Sequence, residues 1–119
     1  MIPNKPWKAI LMLTLTLTLL PTPHIARADT YTVTNTNDSG DGSLRSAIAQ
    51  ANSNPGPDTI EFDVAGCAGV CTIQPTSLLP VLTDDETTID GYSQPGASEA
   101  GDGTPATLLI ELDGSSIAG

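Results

Sequence analysis

The stretch NTNDSGDGSLRSAIAQANSNPGPDTIEFDV, residues 35–64, decides how this chain is read. It opens on a polar run of turn formers, residues 35–42. Ser43 follows at the place of a helix N-cap, where a hydroxyl can accept from a backbone N–H one turn on. Leu44, Ala47, Ile48 and Ala51 then recur at i, i+3, i+4 and i+7, the apolar stripe of a short helix. Arg45, Ser46 and Gln50 fall on the other face. Half of the stripe is alanine, so this helix can lie close to whatever it covers. The run Asn-Ser-Asn-Pro-Gly-Pro at residues 52–57 stops it. Beyond the stop, residues 59–64 alternate cleanly, with Ile60, Phe62 and Val64 directed inward.

On the N-terminal side, residues 30–34 read as a β-branched strand with Tyr31 and Val33 on one face. Strand, helix and strand in so few residues make a crossover, which joins parallel strands and is right-handed in nearly all cases. The helix is then expected to lie over the first parallel pair as a cap. Later strands are shorter: residues 72–74, 87–90 and 107–112, separated by prolines and glycines. Ile89-Asp90-Gly91 returns as Leu112-Asp113-Gly114, an echo that reads as a coil repeat. In that reading Gly91 and Gly114 permit a positive φ at each corner, and Asp90 and Asp113 satisfy backbone N–H groups there.

The 119 residues carry fourteen carboxylates against four Lys and Arg. Residues 1–28 read as a secretory signal peptide. Lys5 and Lys8 form its basic region, residues 9–20 its apolar core, and Ala26-Arg27-Ala28 an A-x-A cleavage site. Removing them leaves one base, Arg45, and every carboxylate. Such a chain repels phosphate backbones and anionic lipid heads. No nucleic-acid partner and no membrane insertion of the mature chain are expected, and the expected location is secreted or cell-surface. Tyr31, Phe62 and Tyr92 are then its aromatic residues, so the core has to be aliphatic. Cys67 and Cys71 are its two cysteines, and in an oxidising compartment their default state is a disulfide.

These residues resemble a known family. Thr32-Val33-Thr34, then Asp38-Ser39-Gly40-Asp41-Gly42-Ser43-Leu44-Arg45, Ala47-Ile48 and Ala51-Asn52, look like the N-terminal region of bacterial repeat-containing surface proteins built on a right-handed parallel β-helix of the pectin-lyase-like class. Asp58-Thr59-Ile60, Phe62, Ile73-Gln74-Pro75, Ile89-Asp90-Gly91, Gln94-Pro95-Gly96 and Leu112-Asp113-Gly114 continue the likeness. The resemblance implies a mostly β fold: an N-terminal cap helix and the first coils of a right-handed parallel β-helix over residues 29–119, an incomplete solenoid. It implies a place at the cell surface or outer membrane. Ser43, Leu44, Arg45, Ile48, Phe62, Asp90, Gly91, Asp113 and Gly114 are its structural positions.

No complete catalytic constellation is present. The loop Asn37-Asp38-Ser39-Gly40-Asp41-Gly42 supplies oxygen ligands in the order of a calcium loop, but the twelfth position is Ile48, where a bidentate carboxylate is needed. Asp84-Asp85-Glu86 is the densest acidic run and reads as a solvated corner. Asp63, Asp90 and Asp113 on stacked rungs would form a second, weak calcium ladder. Arg45 is expected to pair with a nearby carboxylate or strand-end carbonyl. No cofactor is expected, with calcium as the weak exception. The expected function is a non-enzymatic structural or adhesive surface module, with extracellular carbohydrate or cell-surface components as partners and loops such as residues 94–105 on display. The alternatives are the start of a polysaccharide lyase or hydrolase whose site lies in further coils, and a calcium-dependent carbohydrate-binding module.

Overall fold

The computed structural model of the chain describes residues 25–118. The greater part of the expected signal segment, residues 1–24, lies outside the described residues. In order, the elements are β1 (Thr30–Val33), α1 (Leu44–Ser53), β2 (Thr59–Phe62), β3 (Cys71–Ile73), β4 (Thr88–Asp90) and β5 (Ile110–Leu112). A single turn of 3-10 helix follows each of β4 and β5. No helix among the described residues is long and apolar enough to cross a membrane.

The helix begins as its residues require. Ser43 is fully buried and its Oγ accepts from the Ser46 N–H at 3.2 Å. The same hydroxyl donates to the Gly40 carbonyl at 2.7 Å, which ties the cap to the glycine loop. Gly42 turns that loop at a φ of 74°, and its carbonyl accepts from Thr34 and Asn35 at the end of β1. Leu44, Ala47, Ile48 and Ala51 are the buried face. Ala51 has no exposed surface at all; a larger side chain there would push the helix off the sheet.

The strands pair in parallel. Residues 30, 59 and 88 fall in line, as do 31, 60 and 89, giving a three-stranded sheet in the order β1-β2-β4. A second sheet pairs β3 with β5, Cys71 against Ile110 and Ile73 against Leu112. The inward residues of β1, β2 and β3 join the helix stripe in one aliphatic cluster around Ile60, Phe62, Val33 and Ile73. Burial fades outward: Ile89 is 45% and Leu112 54% exposed.

The expected β-helix is not formed. The described strands make two small parallel sheets of unequal depth, with one helix, and show no repeating coil. The echo that pointed to a coil divides between the sheets: β4 belongs to the first and β5 to the second, and they do not pair. What the echo encodes is local. Asp90 Oδ1 accepts from the Tyr92 N–H and Asp113 Oδ1 from the Ser115 N–H, each at 2.9 Å. Each aspartate thereby caps one 3-10 turn, a bond that needs only neighbours in sequence. Gly91 and Gly114 open those turns without positive φ, because a 3-10 turn is right-handed. The corner role expected of these two glycines is therefore wrong. The carboxylate ladder fails for the same reason. Asp90 is in register with Glu61, while Asp113 bonds Gln74 beyond the second sheet.

Candidate functional site

The most exposed ordered feature is a hairpin between β4 and β5. Ser98 and Thr107 exchange backbone bonds of 3.1 and 2.8 Å, and Gly101 and Thr104 exchange two of 3.0 Å. Asp102-Gly103 makes the tip, with Gly103 at a φ of 77°. Every residue in 98–108 is exposed. This antiparallel finger was not expected; residues 107–109 read as part of β5, whereas the strand starts at Ile110.

Three side chains fasten connecting segments to the body that carries it. Gln94, at the root of the finger, is 6% exposed. Its Oε1 accepts from the Val64 N–H and its Nε2 donates to the Val64 carbonyl, both at 2.9 Å. The amide thus stands in for one residue of a neighbouring strand. Asn52, on α1, repeats the device: Nδ2 donates to the Val81 carbonyl at 2.8 Å and Oδ1 accepts from Thr83 at 2.9 Å. Arg45 is the third. Nη2 donates to Asp38 Oδ1 at 2.9 Å, Nε to the Asp38 carbonyl at 3.0 Å, and Nη1 and Nη2 to the carbonyls of Leu78 and Ser77. A planar fork with several fixed donors suits this work better than an ammonium.

Asp38, in the loop that resembled a calcium site, is occupied by protein donors. Besides Arg45 it accepts from the Thr76 hydroxyl at 2.7 Å and the Thr76 N–H at 3.1 Å. The Arg45 bond, then the two Thr76 bonds, lower its pKa to about 2. Ile48, the would-be twelfth position, is in the core. Among the described residues no group of three or more His, Cys, Asp or Glu is placed to hold a metal. Asp84 bonds the Gly56 N–H at 3.1 Å and the Glu86 N–H at 3.3 Å, so it braces a turn. Asp113 is held below the usual carboxylate range, first by the Ser115 N–H, then by the Ser115 hydroxyl and Gln74.

Cys67 and Cys71 form a disulfide. It closes a loop of mostly exposed residues onto the start of β3, where Cys71 is 2% exposed.

A second polar corner lies at the N-terminal end of β1. Asp58 is 1% exposed. Its Oδ1 accepts from the Asp29 N–H at 2.9 Å and from Asn54 Nδ2 at 3.0 Å. Its Oδ2 is buried with no hydrogen-bond partner among the described residues. Burial, then the Asp58 and Asp29 carboxylates, raise the Tyr31 phenol above its ordinary value, against an opposing Asn54 bond.

Asn52, Asp58 and Gln94 stand among the residues that carry the resemblance, but their buried bonding roles were not expected from the sequence. The one signal available was a polar side chain beside turn residues, which does not mark it as buried. Comparison with family models, curated proteins and solved structures finds no match to this chain.

Proposed function

We propose that this is an exported, non-enzymatic surface module that displays the finger of residues 98–107 on a rigid support. The observation that carries the reading is the union of an exposed, internally bonded finger with a buried root. Ser98 and Thr107 lock its base, and Gln94 fixes the chain four residues earlier to Val64. Binding residues concentrate on loops held by a stiff scaffold. Glu99 and Asp102 make the finger acidic, in a chain already rich in carboxylates. Its partner is accordingly a neutral or basic extracellular surface, such as a neutral or amino-sugar polysaccharide, recognised through hydroxyls or cationic groups. Export agrees with the disulfide, since such bonds persist in oxidising compartments.

The test is retention of the exported chain on a panel of extracellular polysaccharides and on intact cells. Glu99→Ala combined with Asp102→Ala and Thr104→Ala should abolish retention while leaving the circular dichroism spectrum unchanged. Equal retention by the triple variant would contradict the reading.

A further inference from the structure

The corner around Asp58 has too many acceptors for its donors. Asn54 Nδ2 has two hydrogens, yet three acceptors lie within reach: the Arg27 carbonyl at 3.1 Å, Asp29 Oδ2 at 3.2 Å and Asp58 Oδ1 at 3.0 Å. The Asp29 N–H contributes one more hydrogen, to Asp58 Oδ1. Asp58 Oδ2 receives none from the described residues, although it is buried. A buried carboxylate in this condition is costly unless a positive charge joins it. The nearest cation, Arg27, is a poor remedy: it is 81% exposed and reaches only Asp29, at 3.5 Å.

We propose that the polar corner made by Asn54 and Asp58 is a receptor for the chain's own α-ammonium, created by cleavage between Ala28 and Asp29. The inference rests on the export reading above. Residues 25–28 are exposed, as a processing protease requires. Water adds across the Ala28–Asp29 amide. Its hydroxyl goes to the Ala28 carbonyl carbon, leaving a carboxylic acid that ionises, and its proton goes to the Asp29 nitrogen. That amine takes a further proton from solvent, because α-amines are protonated below about pH 8. The single N–H already 2.9 Å from Asp58 Oδ1 thus becomes three donors and a positive charge. The Arg27 carbonyl, which competes for Asn54, leaves with the cleaved segment. Donors and acceptors then match, and the excess negative charge that Tyr31 feels from Asp58 and Asp29 is relieved. Asp29 stays in place because its carbonyl accepts from the Thr59 N–H at 2.9 Å, a bond that cleavage does not touch. Processing is therefore coupled to locking of the first strand.

The composition gives a clean probe. Both lysines, Lys5 and Lys8, precede the cut, so the processed chain carries a single amine, that of Asp29. The full chain is expressed in a secreting host, the exported product is recovered, and its N-terminus is read by mass spectrometry. An amine-acylating reagent is then applied at neutral pH. The exported chain should begin at Asp29, and its amine should react at least about tenfold more slowly when folded than in urea. Asp58→Asn should restore fast labelling. Should that variant not fold, a glycine inserted between Ala28 and Asp29 serves instead. It keeps Asp58 and an amide N–H but moves the amine one residue away, and it should label at the urea rate with a lower melting temperature. A chain that is not exported overturns both this proposal and the export reading. An exported chain that starts elsewhere, or an Asp29 amine that labels equally fast folded and unfolded, overturns the receptor alone.

Discussion

Gln94 and Val64 lie thirty residues apart and bond each other as two strand residues would, through a donor and an acceptor of the Gln94 side chain. The pairing extends the bonding of β2 past Phe62 to Val64, and it anchors the finger at the same time. A side-chain amide suits the task because it carries both polarities in one plane.

Gln94→Ala should lower stability by about 2–6 kcal/mol, because two buried backbone groups lose their partners at about 1–3 kcal/mol each. Gln94→Glu should also destabilise, since a carboxylate cannot donate to the Val64 carbonyl. Urea unfolding followed by circular dichroism measures both; a midpoint equal to that of the parent chain would refute the clamp.

The Asp38–Arg45–Thr76 cluster sets an acid limit. An unfolded aspartate ionises at about 3.9, and in the folded chain the value falls to about 2. A lowered folded pKa means that the cluster's contribution is complete above about pH 4 and disappears as pH falls toward 2. Asp38→Asn should therefore melt below the parent at pH 6 and converge with it near pH 2. A constant gap across that range would show that the carboxylate charge is not what matters.

The helix face gives a packing test. Ile48→Ala should cost about 2–4 kcal/mol through a lost side chain and a residual cavity. Ala51→Leu should cost about 1–3 kcal/mol through overpacking, whereas Ala49→Leu, on the exposed face, should be nearly neutral. Thermal melts separate the three. An Ala51→Leu protein as stable as the Ala49→Leu protein would mean that α1 does not lie close to the sheet.

The disulfide should matter modestly. Its sequence separation is 4, and the chain-entropy relation gives about 2 kcal/mol for so small a loop. Cys67→Ala should cost about that amount. Cys71→Ala should cost more, because Cys71 also fills the core beside Ile73. Equal melting temperatures for the two variants would contradict this ordering.

Local chemistry and the first parallel crossover under α1 were legible in the sequence; the assembly of the later strands was not. The Ser43 cap, the Leu44–Ala47–Ile48–Ala51 face and the inward alternation of Ile60 and Phe62 follow from periods that the backbone itself imposes. The Asp90 and Asp113 bonds are equally local, which is why the echo was visible and why it misled. A residue pair that caps its own turn looks the same whether or not the turns stack. Gln94, Asn52 and Asp58 act on backbone about thirty residues away, so their roles appear only once the sheets place Val64, Val81 and Asp29 beside them. The finger escaped notice because its Asp102-Gly103 tip lies among prolines and small residues, without flanking apolar alternation.

Residue-resolved hydrogen exchange on the purified chain tests most directly whether parallel strands support the finger. Four amides report the sheets: Thr59 to Asp29, Asp63 to Val33, Thr88 to Asp58 and Asp113 to Ile73, each bonded at 2.9 Å. All four should exchange far more slowly than the exposed amides of Glu99, Ala100, Asp102 and Gly103. Exchange of these four at the rate of an unfolded chain would show that the parallel scaffold does not exist.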